Sequence, residues 1–196
     1  MSDAADPKPR LVSRLARPML AGALAAVGSM PAHAVTDMFM QLEGIPGEST
    51  DAKHKDWIEI RAYSQGFSNP VTFVGGGGGG AGKVSCGDVN VMKGIDKASP
   101  KLMEAVMTGK HIAKGTLAFR STSGKTGDVD YYTVVLDEIF ITSVQQSDAA
   151  SDGTRVMESV SLAAKKFEFT YRTQKADGSV DSPKTFSYDC VANKAS

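Results

Sequence analysis

"VGGGGGGAGKVS", residues 74–85, decides which class of fold the chain can adopt. Gly77 followed by Gly82-Lys83 fits the frame of a phosphate-binding loop, which would imply an α/β nucleotide-binding protein. Two requirements of that motif fail. The residue after Lys83 is Val84, where a hydroxyl is needed to hold Mg²⁺. The loop must also open a helix whose N-terminus supports the phosphate. Here Val84, Cys86, Val89 and Val91 continue with extended character instead. The glycine run therefore reads as a flexible tether between strands. A second partial match, Gly124-Lys125-Thr126, has Phe119 where the first glycine belongs and sits in a turn-rich connector.

Outward from the glycines the pattern is that of short strands. Residues 36–42 alternate, with Met38, Met40 and Leu42 on one face. Residues 43–55, "EGIPGESTDAKHK", form a long polar loop. Residues 57–65 alternate again, with Ile58 and Ile60 opposite Trp57 and Tyr63, and a short strand at 70–74 leads into the glycines. Further strands are predicted at 112–120, 130–137 and 138–146, with Asp137-Glu138 as turn charges between the last two. A long strand follows at 156–174. Its apolar face passes from even positions (Val160, Leu162) to odd ones (Phe167, Phe169, Tyr171), which predicts a bulge between 163 and 166 or cover on both sides. Asp177-Gly178 signals a hairpin turn before a last strand at 183–191. One helix is predicted within 98–110, with Ser99 as its N-cap, Pro100 in the first turn and Gly109 at the stop. The fold class is mainly β: an antiparallel barrel or sandwich with one helix packed on it.

The chain has 196 residues, is 41% hydrophobic, and carries 22 basic and 22 acidic side chains. That balance supports a packed core and excludes the basic excess of a nucleic-acid binder. Arg10, Arg14 and Arg17 precede the small, apolar run 18–30, and Ala32-His33-Ala34 follows as a small-x-small signal. This is the layout of a secretory leader cleaved after Ala34, leaving residues 35–196 as the mature domain. The apolar run is too short to span a bilayer of about 30 Å. The expected location is therefore periplasmic or secreted, with no membrane attachment after cleavage. Cys86 and Cys190 both lie beyond the leader, and an even pair in an exported chain permits a disulfide. Sequence alone leaves two buried thiols as the alternative.

Candidate chemistry is sparse. His54 lies among Lys53, Lys55 and Asp56 and reads as a solvated loop residue, while His111 follows the helix end. Neither has metal-ligand spacing, and no Gly-x-Ser-x-Gly elbow occurs. The sequence predicts no enzymatic activity, no cofactor and no metal.

Five stretches carry a resemblance: "FMQLEGIPGESTDAKHKDWIEI" (39–60), "GGGAGKVS" (78–85), "DKASPKLMEAVMTGKHI" (96–112), "ESVSLAAKKFEFTY" (158–171) and "QKADGS" (174–179). In this order they resemble the Hcp family, the haemolysin-coregulated tube proteins of bacterial type VI secretion. The resemblance implies a β-barrel of two sheets with one flanking helix. It implies a homo-hexameric ring that stacks into a tube, a lumen that holds small effector proteins, and spike and sheath proteins as partners. It also implies that the loop Glu43, Gly44, Ile45, Pro46, Gly47, Glu48, Ser49, Thr50, Asp51, Ala52, Lys53, His54 and Lys55 helps rings stack. Strands with apolar side chains on both faces, such as Tyr131 and Val135 opposite Val134 and Leu136, agree with subunit contact. Members of the family carry no cleavable leader, and this chain has one that ends where the resemblance begins. An exported ring or binding protein outside the injection tube is therefore the alternative reading.

Overall fold

The computed structural model describes residues 36–74, 78–121, 129–147, 156–173, 175 and 180–196. The expected leader with its expected cleavage residues Ala32 and Ala34, and the connectors at 122–128, 148–155 and 176–179, lie outside them. Among the described residues there are thirteen strands and one helix.

Pairing is antiparallel throughout. β1 (Thr36–Leu42) lies between β2 (Ile58–Ile60) and β9 (His111–Ser121). β9 pairs with β10 (Val129–Ser147), and β10 with β11 (Met157–Tyr171). β11 is long enough to take two neighbours on its far side. Its first half pairs with β8 (Val89–Gly94) and its second with β12 (Lys184–Asp189), which carries β13 (Lys194–Ala195). β8 then pairs with β3 (Ala62–Ser64). Only Arg61 separates β2 from β3, and its N–H donates to the Met92 carbonyl at 2.7 Å. Hydrogen bonding thus returns to β1 and closes a barrel, with β12 and β13 as a branch from β11.

The barrel is filled by inward side chains of the alternating strands: Met40, Ile58, Val91, Leu117, Val134, Leu136, Val160 and Leu162 are buried. The expected face switch is present but is not confined to one strand. Buried positions change parity in β9 between Ile112 and Gly115, in β10 between Leu136 and Ile139, and in β11 between Leu162 and Phe167. Ala113, Glu138 and Lys165, all exposed, mark the same level of three paired strands. Because the strands switch together, no pairing slips there. The register shifts instead lie in β10, between Ile141 and Ser143 against β11 and between Asp130 and Tyr132 against β9. The same feature corrects the expected turn at Asp137-Glu138: β10 runs straight through, with Glu138 at φ 54°. A left-handed residue in a ladder reverses side-chain sidedness without ending the strand.

α1 (Ser99–Thr108) buries Leu102 and Ala105 against the barrel and stops at Gly109, whose φ of 64° is left-handed. Glycine meets that requirement without a Cβ penalty. Ser99 is not the N-cap. Ala98 holds that position without a side-chain bond, because the Ser99 hydroxyl is turned into the core. There it meets Lys93 and Glu158, both fully buried. Lys93 Nζ donates to Glu158 Oε2 at 2.9 Å and to Ser99 Oγ at 3.0 Å, and lies 2.8 Å from Asp96 Oδ1. Ser99 Oγ and Gln146 Nε2 donate to the two Glu158 oxygens at 2.9 and 3.0 Å. Burial alone would raise the Glu158 carboxyl; these donors and the Lys93 charge outweigh it and hold the pKa below the ordinary value. The network welds the helix start to β8, β10 and β11.

Part of the glycine run is not a loose tether. β5 (Val71–Val74) pairs with β6 (Gly78–Ala81), and β4 (Phe67–Ser68) with β7 (Ser85–Cys86). With Gly87 N–H donating to Gly66 O at 2.8 Å and Gly82 N–H to Pro70 O at 2.9 Å, the segments 66–74 and 78–87 pair as the two arms of a hairpin leaving the barrel. Cys86 is bonded to Cys190, 104 positions away, with the Cα atoms 6.3 Å apart.

Candidate functional site: the docked 43–55 loop

The loop between β1 and β2 begins with a tight reversal. Ile45 N–H donates to the Leu42 carbonyl at 3.1 Å, and Gly44 takes φ 78°. The loop then alternates: Ile45, Gly47 and Ser49 are buried, while Pro46, Glu48 and Thr50 are exposed. It folds on itself. Gly47 and Ser49 N–H groups donate to the Asp56 and Trp57 carbonyls at 2.8 and 3.0 Å, and Asp56 N–H returns a bond to Ser49 O at 2.9 Å. A Cβ on Gly47 would collide with the Trp57–Ile58 peptide, so the close approach requires glycine there.

His54 is the anchor, and it is buried rather than solvated: 2% of it is exposed. Its ring stacks on Phe39 at 4.4 Å between centroids and meets Trp57 edge-on at 4.8 Å. Nδ1 lies 3.1 Å from Asp51 Oδ1, and Nε2 lies 3.1 Å from Asp130 Oδ2 on β10. Local sequence polarity hid this, because the aromatic partners sit on β1 and at 57 and the second carboxylate is on a distant strand. The alternating charge around His54 gave no signal of it.

Asp51 is the hub. Its Oδ1 accepts from the Lys53 and His54 N–H groups, both at 2.9 Å, and its Oδ2 accepts from Arg120 Nη1 at 2.5 Å. Partial burial raises the Asp51 pKa, but the hydrogen bonds from Arg120, the two backbone groups and His54 lower it further, and the net is well below the usual carboxylate range. Arg120 also donates through Nη2 to Asp37 Oδ2 at 3.2 Å and stacks over the Phe39 ring at 5.1 Å. Beside this cluster an open groove of about 500 Å³ is lined by Asp37, Asp51, Glu59, Arg61 and Arg120 among others.

The loop's other flank is held by the start of α1. Lys97 N–H donates to Glu48 Oε1 at 2.8 Å, Lys97 Nζ to Asp56 Oδ1 at 3.1 Å, and Lys101 Nζ to the Gly44 carbonyl at 3.1 Å. The loop is thus docked on both sides. It offers Pro46, Thr50, Ala52 and Lys55 outward.

This arrangement presents a defined outward surface. Among the described residues, no group of three or more His, Cys, Asp or Glu side chains is placed to hold a metal ion, and no helix is long and apolar enough to cross a membrane. His111, the other described histidine, pairs with Glu138 at 2.7 Å on the exposed outer face of the β9–β10 ladder. Cys86 and Cys190 lie in the hairpin and beyond β12, and neither belongs to the loop.

Comparison with known proteins places this surface in context. The family described as "Type VI secretion system effector, Hcp" matches residues 39–171. Protein hcp1 of Pseudomonas aeruginosa is 37% identical over 145 residues, which is 74% of this chain and 88% of that protein. A solved type six secretion system protein superposes with a TM-score of 0.77 at 26% identity, covering 83% of this chain and 100% of the other. Hcp1 of Salmonella typhimurium superposes with a TM-score of 0.69 at 28% identity, covering 83% of this chain and 99% of the other.

Proposed function

This chain belongs to the Hcp family of type VI secretion proteins, and from that premise we propose that it is a non-enzymatic tube subunit whose copies close into six-membered rings, stack, and enclose small effector proteins. The observation that carries the reading is the 43–55 loop. It is fixed at its base by His54, Asp51 and Arg120 and braced by Lys97 and Lys101, so its outward residues have a defined position. A rigid projection loses little conformational entropy on contact, which suits repeated stacking. Lateral contact is supported by apolar side chains left on the strands: Phe140, Tyr171 and Phe186 are exposed on β10, β11 and β12.

A second reading rests on the leader over residues 1–34. A chain delivered to the periplasm by its own signal would form rings outside the injection tube, using the same surfaces.

Cell fractionation with N-terminal sequencing separates the two. The tube reading expects cytoplasmic protein beginning near Met1, and release into the medium that stops when the contractile sheath is removed. Periplasmic protein beginning after Ala34, released irrespective of the sheath, would contradict it and support the second reading.

A further inference from the structure

The hairpin arms 66–74 and 78–87 stand apart from the barrel ladder. β4–β7 and β5–β6 are two small sheets that share no strand with the nine-stranded sheet. Among the described residues, an aromatic contact, a hydrogen bond and the disulfide tie the hairpin to the body. Phe67 sets its ring edge-on to Phe167 and Phe169 on β11, at 5.3 and 5.6 Å. The Val84 N–H donates to Asn193 Oδ1 at 2.9 Å, in the turn between β12 and β13. The third tie is the Cys86–Cys190 bond. Phe67 remains 44% exposed, so its contact buries only part of a ring. A single exposed hydrogen bond to a side-chain amide is weak support for a segment of this length. The disulfide is the strongest of the three. It sits at the base of the hairpin, where it fixes the segment's angle to β12. On the other side the Cys190 N–H is fixed to the Lys165 carbonyl at 2.9 Å.

We propose that Cys86–Cys190 is a redox clasp: oxidised, it holds the hairpin arms 66–74 and 78–87 against β11 and the β12–β13 turn; reduced, it releases them and uncovers the Phe167–Phe169 face. The barrel does not need the bond, because its closure runs through β1, β9, β10, β11, β8, β3 and β2. Closing the clasp converts two thiols and one disulfide-bearing oxidant into the Cys86–Cys190 bond and two thiols on the oxidant. A dithiol oxidase of an oxidising compartment would serve in the cell, and glutathione disulfide serves in vitro. The inference stands apart from the tube reading, since it concerns the order of the hairpin within one chain.

Hydrogen exchange read by mass spectrometry tests it on the purified protein, compared as oxidised with glutathione disulfide, as reduced with dithiothreitol, and as the Cys86→Ser/Cys190→Ser variant. Exchange across 66–87 should rise at least tenfold in the reduced protein and the variant, while peptides covering 134–141 and 158–162 stay protected. Unchanged exchange across 66–87 would overturn the proposal, because the other two contacts would then suffice. A rise everywhere would overturn it as well, making the bond a staple for the whole fold. Should the variant fail to accumulate, the reduced wild-type protein gives the same reading.

Discussion

His54 Nε2 lies 3.1 Å from Asp130 Oδ2, across 76 positions of sequence, and this contact fastens the 43–55 loop to the barrel wall. The opposite ring nitrogen meets Asp51 Oδ1 at the same distance. Replacing the side chain removes a buried stack and strips two carboxylates of a partner. His54→Ala should cost about 2–4 kcal/mol in urea unfolding. Asp130→Asn, which keeps the shape, should cost about 1 kcal/mol. A His54→Ala loss near zero would mean that the loop is not docked through this residue.

The loop's hub should also govern acid stability. Asp51 and Glu158 both have folded pKa values held below their ordinary ones. The unfolded chain therefore binds more protons as pH falls, and stability present at neutral pH is lost below about pH 5. Unfolding midpoints measured from neutral pH downward should fall along that limb. Asp51→Asn should flatten it, leaving a lower stability that changes less with acid. An equally steep limb in the variant would assign the acid sensitivity elsewhere.

The buried Lys93–Glu158 pair predicts a non-additive result. Lys93→Met leaves the Glu158 carboxylate buried without its cation and should cost about 3–5 kcal/mol. Adding Glu158→Leu removes that stranded charge, so the double variant should recover most of the loss. Denaturant unfolding of the two single variants and the double one gives the coupling directly. Additive losses would show that the pair is not a unit.

Gly47→Ala tests the close approach of the loop to the Trp57–Ile58 peptide. The neighbour is backbone, which cannot swing aside, so a loss of about 1–3 kcal/mol is expected from overpacking. Trp57 fluorescence should report the displacement, since the ring lies against His54. Unaltered stability and emission would place the loop further from the strand.

The alternation of hydrophobic residues carried most of the fold. β1, α1 and the long β11 stand where periodicity and the Ser-Pro…Gly punctuation predict them. Asp137-Glu138 misled because two adjacent charges look like a turn, whereas the left-handed Glu138 lets one strand change sides and continue. Gly78–Gly80 misled because glycine has low strand propensity; pairing with β5 overrides it. Ser99 has the chemistry of a cap, but a buried ammonium and a buried carboxylate compete for its hydroxyl. The loop's boundaries were readable from Gly, Pro and polar composition. Its docking was not, because Arg120, Asp130, Lys97 and Lys101 reach it only through tertiary contact.

Copies of this chain are proposed to assemble through the docked loop and the exposed strand faces. Light scattering on the purified, oxidised protein, paired with electron microscopy of the same sample, tests it most directly. The expected result is a mass several times that of one chain and ring-shaped particles with an open centre, which stack end to end as concentration rises. A strict monomer over a wide concentration range, without rings, would contradict it.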